Sequence, residues 1–361
     1  MNSSLPQRIL IVVTRRIGDV ILATPVIHSL RQAWPTAIID VLVFGSTAAV
    51  LKNNPEIDRI HTIEERPQFF KHLKLIGSLW RRYDLALSLL PGDRPTLYAF
   101  LAGKKSLGLL LANRQSRFKQ WLLSDWVAYE PTQRHMLLNH LALLAPLQVT
   151  SIAKVSVYWS QEDERLVSQH IQTIDHQRFV VLHVYPKFHY KMWQMQGWVK
   201  LAQWLTQQAY TVVLTAGPEL AEQTYVNALA LQIPACINLA GQLSLSQTAA
   251  LIKKSAAYVG PDTSVTHLAA SLGVPTVTLF GPTDPVRWGP WPCLWRALEN
   301  PWHRFGDQVK GNVSIVQGQG LCVPCTLEGC DRHIESYSDC LLQLPVERLI
   351  KGLKVFSIFN A

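Results

Sequence analysis

The feature that most constrains this chain is a repeated alternation, in which short runs of β-branched and apolar residues are each followed by a stretch of helical length. Ile9–Thr14, Ile38–Phe44, Ile60–Ile63 and Leu85–Leu89 read as strands, with helices at Val20–Ala33, Thr47–Asn53 and Gln68–Arg82. The pattern is less regular to about residue 150 and restarts beyond a charged stretch, Gln161–Arg165. Strands at Phe179–Val184, Thr211–Thr215, Cys236–Leu239, Ala257–Val259 and Thr276–Phe280 then alternate with helices at Gln194–Gln208, Glu219–Leu231, Ser246–Lys254 and Ser264–Leu272. Strands separated by helices of about 10–15 residues make βαβ units and therefore parallel sheets. The expectation is two α/β domains, residues 1–172 and 173–361, joined near 160–178. A last helix at about Pro345–Phe359 is apolar on one side and is a candidate to return to the first domain. Parallel sheets bind ligands beyond the carboxyl ends of their strands, so two such domains imply sheets facing a central cleft.

Composition fits a packed core. Of 361 residues, 48% are hydrophobic and 16% charged, which excludes a disordered chain. The longest apolar runs, Leu85–Leu90 and Leu141–Leu147, fall far short of the roughly 20 residues that span a bilayer. The N-terminus shows no charged n-region leading into an apolar h-region, so no signal peptide is expected and a cytoplasmic location is. Net charge is +9 and uneven: residues 1–172 hold 20 Lys and Arg against 13 Asp and Glu, and residues 173–361 hold 14 against 12. A basic first half suits an anionic partner, whether phosphorylated lipid, membrane surface or nucleic acid, or is simply a basic surface. No zinc-finger spacing or RNA-binding aromatic motif supports nucleic acid. Leu97–Trp126 mixes Leu, Phe and Trp with Lys104, Lys105, Arg114, Arg117 and Lys119. Such a stretch suits contact with anionic lipid at the membrane surface, and equally suits core helices with a solvated rim.

The turn after the first strand reads Arg15-Arg16-Ile17-Gly18-Asp19-Val20. A dinucleotide fold would place G-x-G-x-x-G here, and only Gly18 is present; no phosphate-binding G-x-x-x-x-G-K-[ST] occurs anywhere. Gly18 permits a sharp turn and puts Asp19 at or near the start of a helix. Asp19 is then either an N-cap or a carboxylate at the lip of a cleft, placed to accept a proton from an incoming hydroxyl. A carboxylate is a weak base, effective where the hydroxyl becomes acidic late, as its oxygen bonds to carbon. Sugar transfer has that character. Arg15 and Arg16 are candidates to hold acceptor phosphates, or are solvated charges.

The strongest signal is Tyr258-Val259-Gly260-Pro261-Asp262-Thr263-Ser264-Val265-Thr266-His267-Leu268-Ala269-Ala270. Gly-Pro turns the chain out of a strand, and Asp262, Thr263 and Ser264 are good starts for the next helix. A helix N-terminus carries unpaired N–H groups and partial positive charge, which suit a diphosphate. His267 lies one turn in, on the face of Thr263 and Ser264. Two further strand ends carry Lys191, a candidate to neutralise a leaving diphosphate, and Glu219, a candidate acceptor from a ribose or base. A surface Lys and a first-turn Glu complementing the helix dipole are the plainer readings. A second strand-end loop, Gly281-Pro282-Thr283-Asp284-Pro285, follows the strand after Gly273-Val274-Pro275.

Ile17-Gly18-Asp19-Val20 with Thr24-Pro25-Val26, together with Gly260 to Ala270, resembles glycosyltransferase family 9, the ADP-heptose:lipopolysaccharide heptosyltransferases, over about residues 8 to 350. The resemblance implies the GT-B fold, with acceptor mainly on the first Rossmann-like domain and nucleotide sugar on the second. It implies an inverting transfer of heptose from ADP-L-glycero-D-manno-heptose to a phosphorylated lipopolysaccharide inner core, with no metal and no cofactor. By motif, Asp19 matches the general base, Lys191 the diphosphate-contacting lysine and Glu219 the nucleoside-contacting glutamate. Asp262, Thr263 and His267 match the donor-binding motif, and Ser264 stands within it. Tyr185–Tyr190 departs from the Gly- or Thr-rich phosphate loop of many members. The absence of any D-x-D agrees independently with a metal-free diphosphate. A transferase using another nucleotide sugar, and a non-catalytic sugar-nucleotide-binding relative, are the competing readings.

Cys322-Val323-Pro324-Cys325 with Cys330 and Cys340 resembles a zinc site but lacks the second C-x-x-C. A structural thiol cluster, a metal site and disulfides are all open on spacing, and a reducing compartment disfavours the last.

Overall fold

The computed structural model describes residues 5–66, 68–113, 116–172, 174 and 178–359. The chain forms two compact units, Met1–Tyr158 with Arg296–Asn300, and Trp159–Trp295 with Pro301–Ala361.

The first unit is a six-stranded parallel sheet in the order β3-β2-β1-β4-β5-β6. Its strands are β1 (Arg8–Val12), β2 (Ile38–Phe44), β3 (Arg59–Ile63), β4 (Tyr83–Ser88), β5 (Gly103–Leu110) and β6 (Asp125–Ala128). Its helices are α1 (Ile17–Ile21), α2 (Thr24–Ala33), α3 (Phe69–Leu79), α4 (Asp93–Ala102), α5 (Arg117–Leu122) and α6 (Met136–Ala142). Ile9, Leu10, Ile11 and Val12 are all fully buried, because a parallel strand covered on both faces needs apolar residues on both. Each such side chain is worth about 1.5–3 kcal/mol of transfer free energy.

The helix expected over Val20–Ala33 is broken in two. Pro25 has no N–H to give the carbonyl of Ile21, and the Thr24 hydroxyl donates to that oxygen instead, at 2.7 Å. Thr24 also receives Ser156 N–H at 3.1 Å, tying the break to the end of the unit. The stretch that looked irregular holds α4, β5, α5, β6 and α6. Gly103, Lys104, Lys105 and Gly108 hide β5 from any apolar pattern.

The second unit has seven strands in the order β12-β13-β11-β10-β7-β8-β9, parallel except that β12 runs antiparallel to β13. The strands are β7 (Phe179–His183), β8 (Thr211–Thr215), β9 (Ile237–Asn238), β10 (Ala257–Pro261), β11 (Thr276–Phe280), β12 (Gln308–Lys310) and β13 (Val313–Gln317). The helices are α7 (Gln161–His170), α8 (Met195–Gln207), α9 (Leu220–Ala230), α10 (Leu245–Lys254), α11 (Ser264–Ser271), α12 (Pro285–Trp288), α13 (Asp339–Leu342) and α14 (Val346–Lys354). Alternate residues of β7 enter opposite cores: Val180 and Leu182 pack with Trp198 and Leu349, Phe179 and Val181 with Val167 and Leu251.

The charged stretch near the expected join is α7, which lies in the second unit. Ser160 and Asp163 form a capping box, with Ser160 Oγ accepting Asp163 N–H at 3.1 Å and Asp163 Oδ2 accepting Ser160 N–H at 2.9 Å. Val167 and Ile171 then bury against α10. Residues 173 and 175–177 of the expected join lie outside the described residues. The last helix packs on β11, β13 and α8 of its own unit. Trp193 Nε1 donates to Leu344 O at 2.8 Å just before it, and Tyr210 donates to Ile358 O at 2.9 Å just after.

Candidate active-site loops

In each sheet the strand order reverses once beside the first strand, between β1 and β4 and between β7 and β10. Ligands of open parallel sheets bind beyond the carboxyl ends of the strands at such a point. Asp19 with Arg15 and Arg16, and Lys191 with Asp262 to His267, fall at these two places, whereas Glu219 follows β8.

In the first unit the loop after β1 leads into α1. Arg16 occupies the N-cap, without a side-chain capping bond, and Asp19 is the third residue of the helix. Asp19 is therefore not the cap, and Gly18 lies within the helix rather than in a left-handed turn. Asp19 is 3% exposed, and Arg15 Nε stands 3.7 Å from its Oδ2. Arg15 is partly exposed and Arg16 exposed. His140 packs beneath the loop, its Nδ1 3.1 Å from Leu22 O, and burial pushes its imidazole down to about 4. A neutral, donating His140 holds the carbonyl at the end of α1 and adds no positive charge beside Arg15.

In the second unit, Lys191 ends a single 3₁₀ turn after β7, and Asp262 follows β10. Lys191 Nζ lies 2.5 Å from Asp262 Oδ2 and donates to Asp262 O at 3.2 Å, so the pair bridges the strand reversal. Thr263 is the N-cap of α11, and its hydroxyl makes no capping bond. Thr263 and Ser264 are partly exposed. His267 is 6% exposed, and its Nδ1 meets no hydrogen-bond partner among the described residues. Burial pushes its imidazole down to about 4; Asp262 opposes that shift and Lys191 adds to it. The loop is shaped from beneath. Thr266 Oγ1 donates to Pro261 O at 2.5 Å and meets the Tyr258 hydroxyl at 3.0 Å. A Cβ at Gly260 would fall 2.3 Å from that hydroxyl, so glycine is required by the close approach.

The structure separates the glutamates after β8. Glu219 is the exposed N-cap of α9 and makes no side-chain cap. Glu222 is half-buried and accepts Gly217 N–H at 2.6 Å, and burial raises its carboxyl. Sequence reading missed Glu222, although Gly217-Pro218 three residues before a helix start was the available signal. Also missed was an aromatic group at the same strand ends. Tyr185 meets Tyr225 edge-on at 5.3 Å and holds His189 Nε2 at 3.1 Å, and His189 stacks on Tyr337 at 5.5 Å. Ser338 Oγ donates to Tyr190 O at 2.7 Å, so the cysteine-rich loop fastens the turn that carries Lys191. Asp284, in the second strand-end loop, caps α12 by accepting Val286 N–H at 2.9 Å.

All six cysteines are unbridged, and among the described residues no group of three or more His, Cys, Asp or Glu is placed to hold a metal. Burial first, and then the thiols of Cys325, Cys330 and Cys322, push Cys340 up to about 12.

Two α/β units built on parallel sheets are the GT-B fold. The structure of glycosyl transferase family 9 from Veillonella parvula superposes with a TM-score of 0.77 at 18% identity, covering 98% of this chain and 97% of that one. That of the E. coli ADP-heptose lps heptosyltransferase II gives 0.73 at 20%, covering 98% of each. In sequence, lipopolysaccharide heptosyltransferase 3 of Escherichia coli is 30% identical over 291 residues, 76% of this chain and 83% of the relative. Residues 73–308 match glycosyltransferase family 9 (heptosyltransferase), and the chain belongs to that family. The matched span holds the Lys191 and Asp262 loops; Asp19 precedes it.

Proposed function

We propose that the chain is an inverting, metal-independent heptosyltransferase that takes heptose from ADP-L-glycero-D-manno-heptose and adds it to a phosphorylated lipopolysaccharide inner core, on the cytoplasmic face of the inner membrane. The observation that carries this reading is the second unit's switch point. There a lysine, a helix N-terminus and a buried histidine nitrogen without a partner stand together in a family-9 chain.

The chemistry follows from the groups. The acceptor hydroxyl oxygen attacks the anomeric carbon opposite the diphosphate, the new C–O bond forms with inversion, and the bond to the diphosphate oxygen breaks. ADP leaves with the electron pair. Lys191 and the N–H groups at the start of α11 stabilise its charge, with the hydroxyls of Thr263 and Ser264 beside them. His267, kept neutral by burial, offers Nδ1 to the donor. Glu222, with Glu219 as the exposed alternative, accepts from the nucleoside. Asp19 takes the hydroxyl proton as the oxygen bonds to carbon. Arg15 and Arg16 bind acceptor phosphates, with Arg15 also orienting Asp19. The names of the relatives support the donor and acceptor classes.

Calorimetric titration with ADP-, UDP-, GDP- and dTDP-sugars tests the donor. The reading expects ADP-heptose to bind at least about tenfold more tightly than the others, a difference of about 1.4 kcal/mol. Preference for another nucleotide would replace the donor, and donor binding without product from purified core acceptor would make the chain a non-catalytic relative.

A further inference from the structure

The basic, apolar segment around Leu97–Trp126 divides sharply by exposure. Its first part is α4 and β5, where Tyr98, Ala99, Leu107 and Leu109 are buried, and Arg114 lies outside the described residues. Leu97, Lys104, Lys105 and Leu111 reach solvent singly, whereas α5 has no buried residue, with Phe118 67% exposed and Trp121 79%. Their rings stack at 6.3 Å.

A second apolar face lies on α3, where Phe69 is 69% exposed, Phe70 82% and Leu73 48%. The opposite side of α3, through Leu75, Ile76 and Leu79, packs into the cluster that also holds Tyr98 and Ala99 of α4. Helix α3 packs on α4, and α4 on α5, so the three form one layer on one face of the first sheet. In a βαβ unit each helix starts at the carboxyl edge of the sheet. Phe69 and Phe70 open α3, and Phe118 lies in the first turn of α5, so the aromatics stand at the edge from which the Asp19 loop also leaves.

Charge selects the occupant. Residues 1–158 hold 19 Lys and Arg against 10 Asp and Glu, so the whole excess of +9 lies there, and residues 159–361 balance. Lys74 and Arg117 are exposed beside the aromatics. Lys119 is held by Asp93 at 2.9 Å and Lys71 by Glu64 at 3.1 Å. Among the described residues no helix is long and apolar enough to cross a membrane.

We infer that Phe69, Phe70, Phe118 and Trp121, flanked by Lys74 and Arg117, form a docking surface for an anionic bilayer. Aromatic rings enter the headgroup region while cationic side chains meet lipid phosphates. The surface presents the Asp19 edge to an acceptor embedded in that bilayer. Its purpose rests on the proposed lipid-borne acceptor, whereas vesicle binding is measured with neither donor nor acceptor present.

The test is flotation of the full chain with vesicles of phosphatidylcholine alone and of phosphatidylcholine mixed with phosphatidylglycerol. Wild type floats with the mixed vesicles and is released by salt, as screening requires. Phe70→Ser with Trp121→Ser lowers partitioning by about tenfold or more, at unchanged melting temperature. Phe118→Ser and Lys74→Glu each lower it separately. The double variant keeps wild-type turnover on a deacylated, soluble acceptor and loses it on vesicle-embedded acceptor. Failure of wild type to float, flotation of the double variant like wild type, or equal flotation with neutral vesicles overturns the inference. So does a concentration-dependent dimer that the same substitutions abolish, which would assign the face to a second copy.

Discussion

Lys191 Nζ lies 2.5 Å from the Asp262 carboxylate, across the place where the strand order of the second sheet reverses. The lysine side chain is 18% exposed and the aspartate 9%, so each charge depends on the other for solvation. Removing either leaves a mostly buried ion unpaired.

Lys191→Met is therefore expected to lose stability, by about 1–3 kcal/mol, through the stranded Asp262 charge. It also loses turnover by about a hundredfold through the leaving group. Adding Asp262→Asn restores much of the stability and none of the turnover. Chemical denaturation beside initial rates separates the two effects; recovery of turnover in the double variant would show that Lys191 serves only the fold.

Three buried histidines give a pH dependence with a definite sign. Burial pushes His140, His183 and His267 each down to about 4, against an ordinary value near 6.5. Between those values the unfolded chain binds protons that the folded chain refuses, so stability is complete above about 6.5 and drains away as pH falls toward about 4. Urea midpoints from neutral pH to about pH 5 should fall, and His267→Gln should flatten the decline. A midpoint independent of pH over that range would refute the burial argument.

The two glutamates after β8 are predicted to differ. Glu222→Gln weakens donor binding by about tenfold, since it changes a half-buried acceptor held by Gly217 N–H. Glu219→Gln, at an exposed cap, changes it less than about twofold. Calorimetry on both variants checks the order, and a larger loss at Glu219 would make Glu219 the nucleoside contact and contradict the role given to Glu222.

Much of this was legible in the chain. Strands β2, β8 and β11 were read to their end residues, because a parallel strand covered on both faces writes a continuous apolar run. The Gly260–Ala270 loop declared a strand end followed by a helix start, and its neighbourhood with Lys191 follows from strand order. Strand order is not written locally, so the Lys191–Asp262 pair could not be read from spacing. Strand β5 escaped because Gly103, Lys104 and Lys105 break its pattern. Helix α7 escaped because its polar face outweighs Val167 and Ile171. The bond from Ser338 to Tyr190 spans 148 residues, beyond any motif.

Asp19 is proposed as the base in heptose transfer. It is tested most directly by comparing Asp19→Asn with wild type in product formation from ADP-heptose and purified core acceptor, with donor affinity and melting temperature measured on the same samples. The account predicts unchanged folding and donor binding, with turnover reduced by about 10²–10⁴. Turnover within a few-fold of wild type would contradict it.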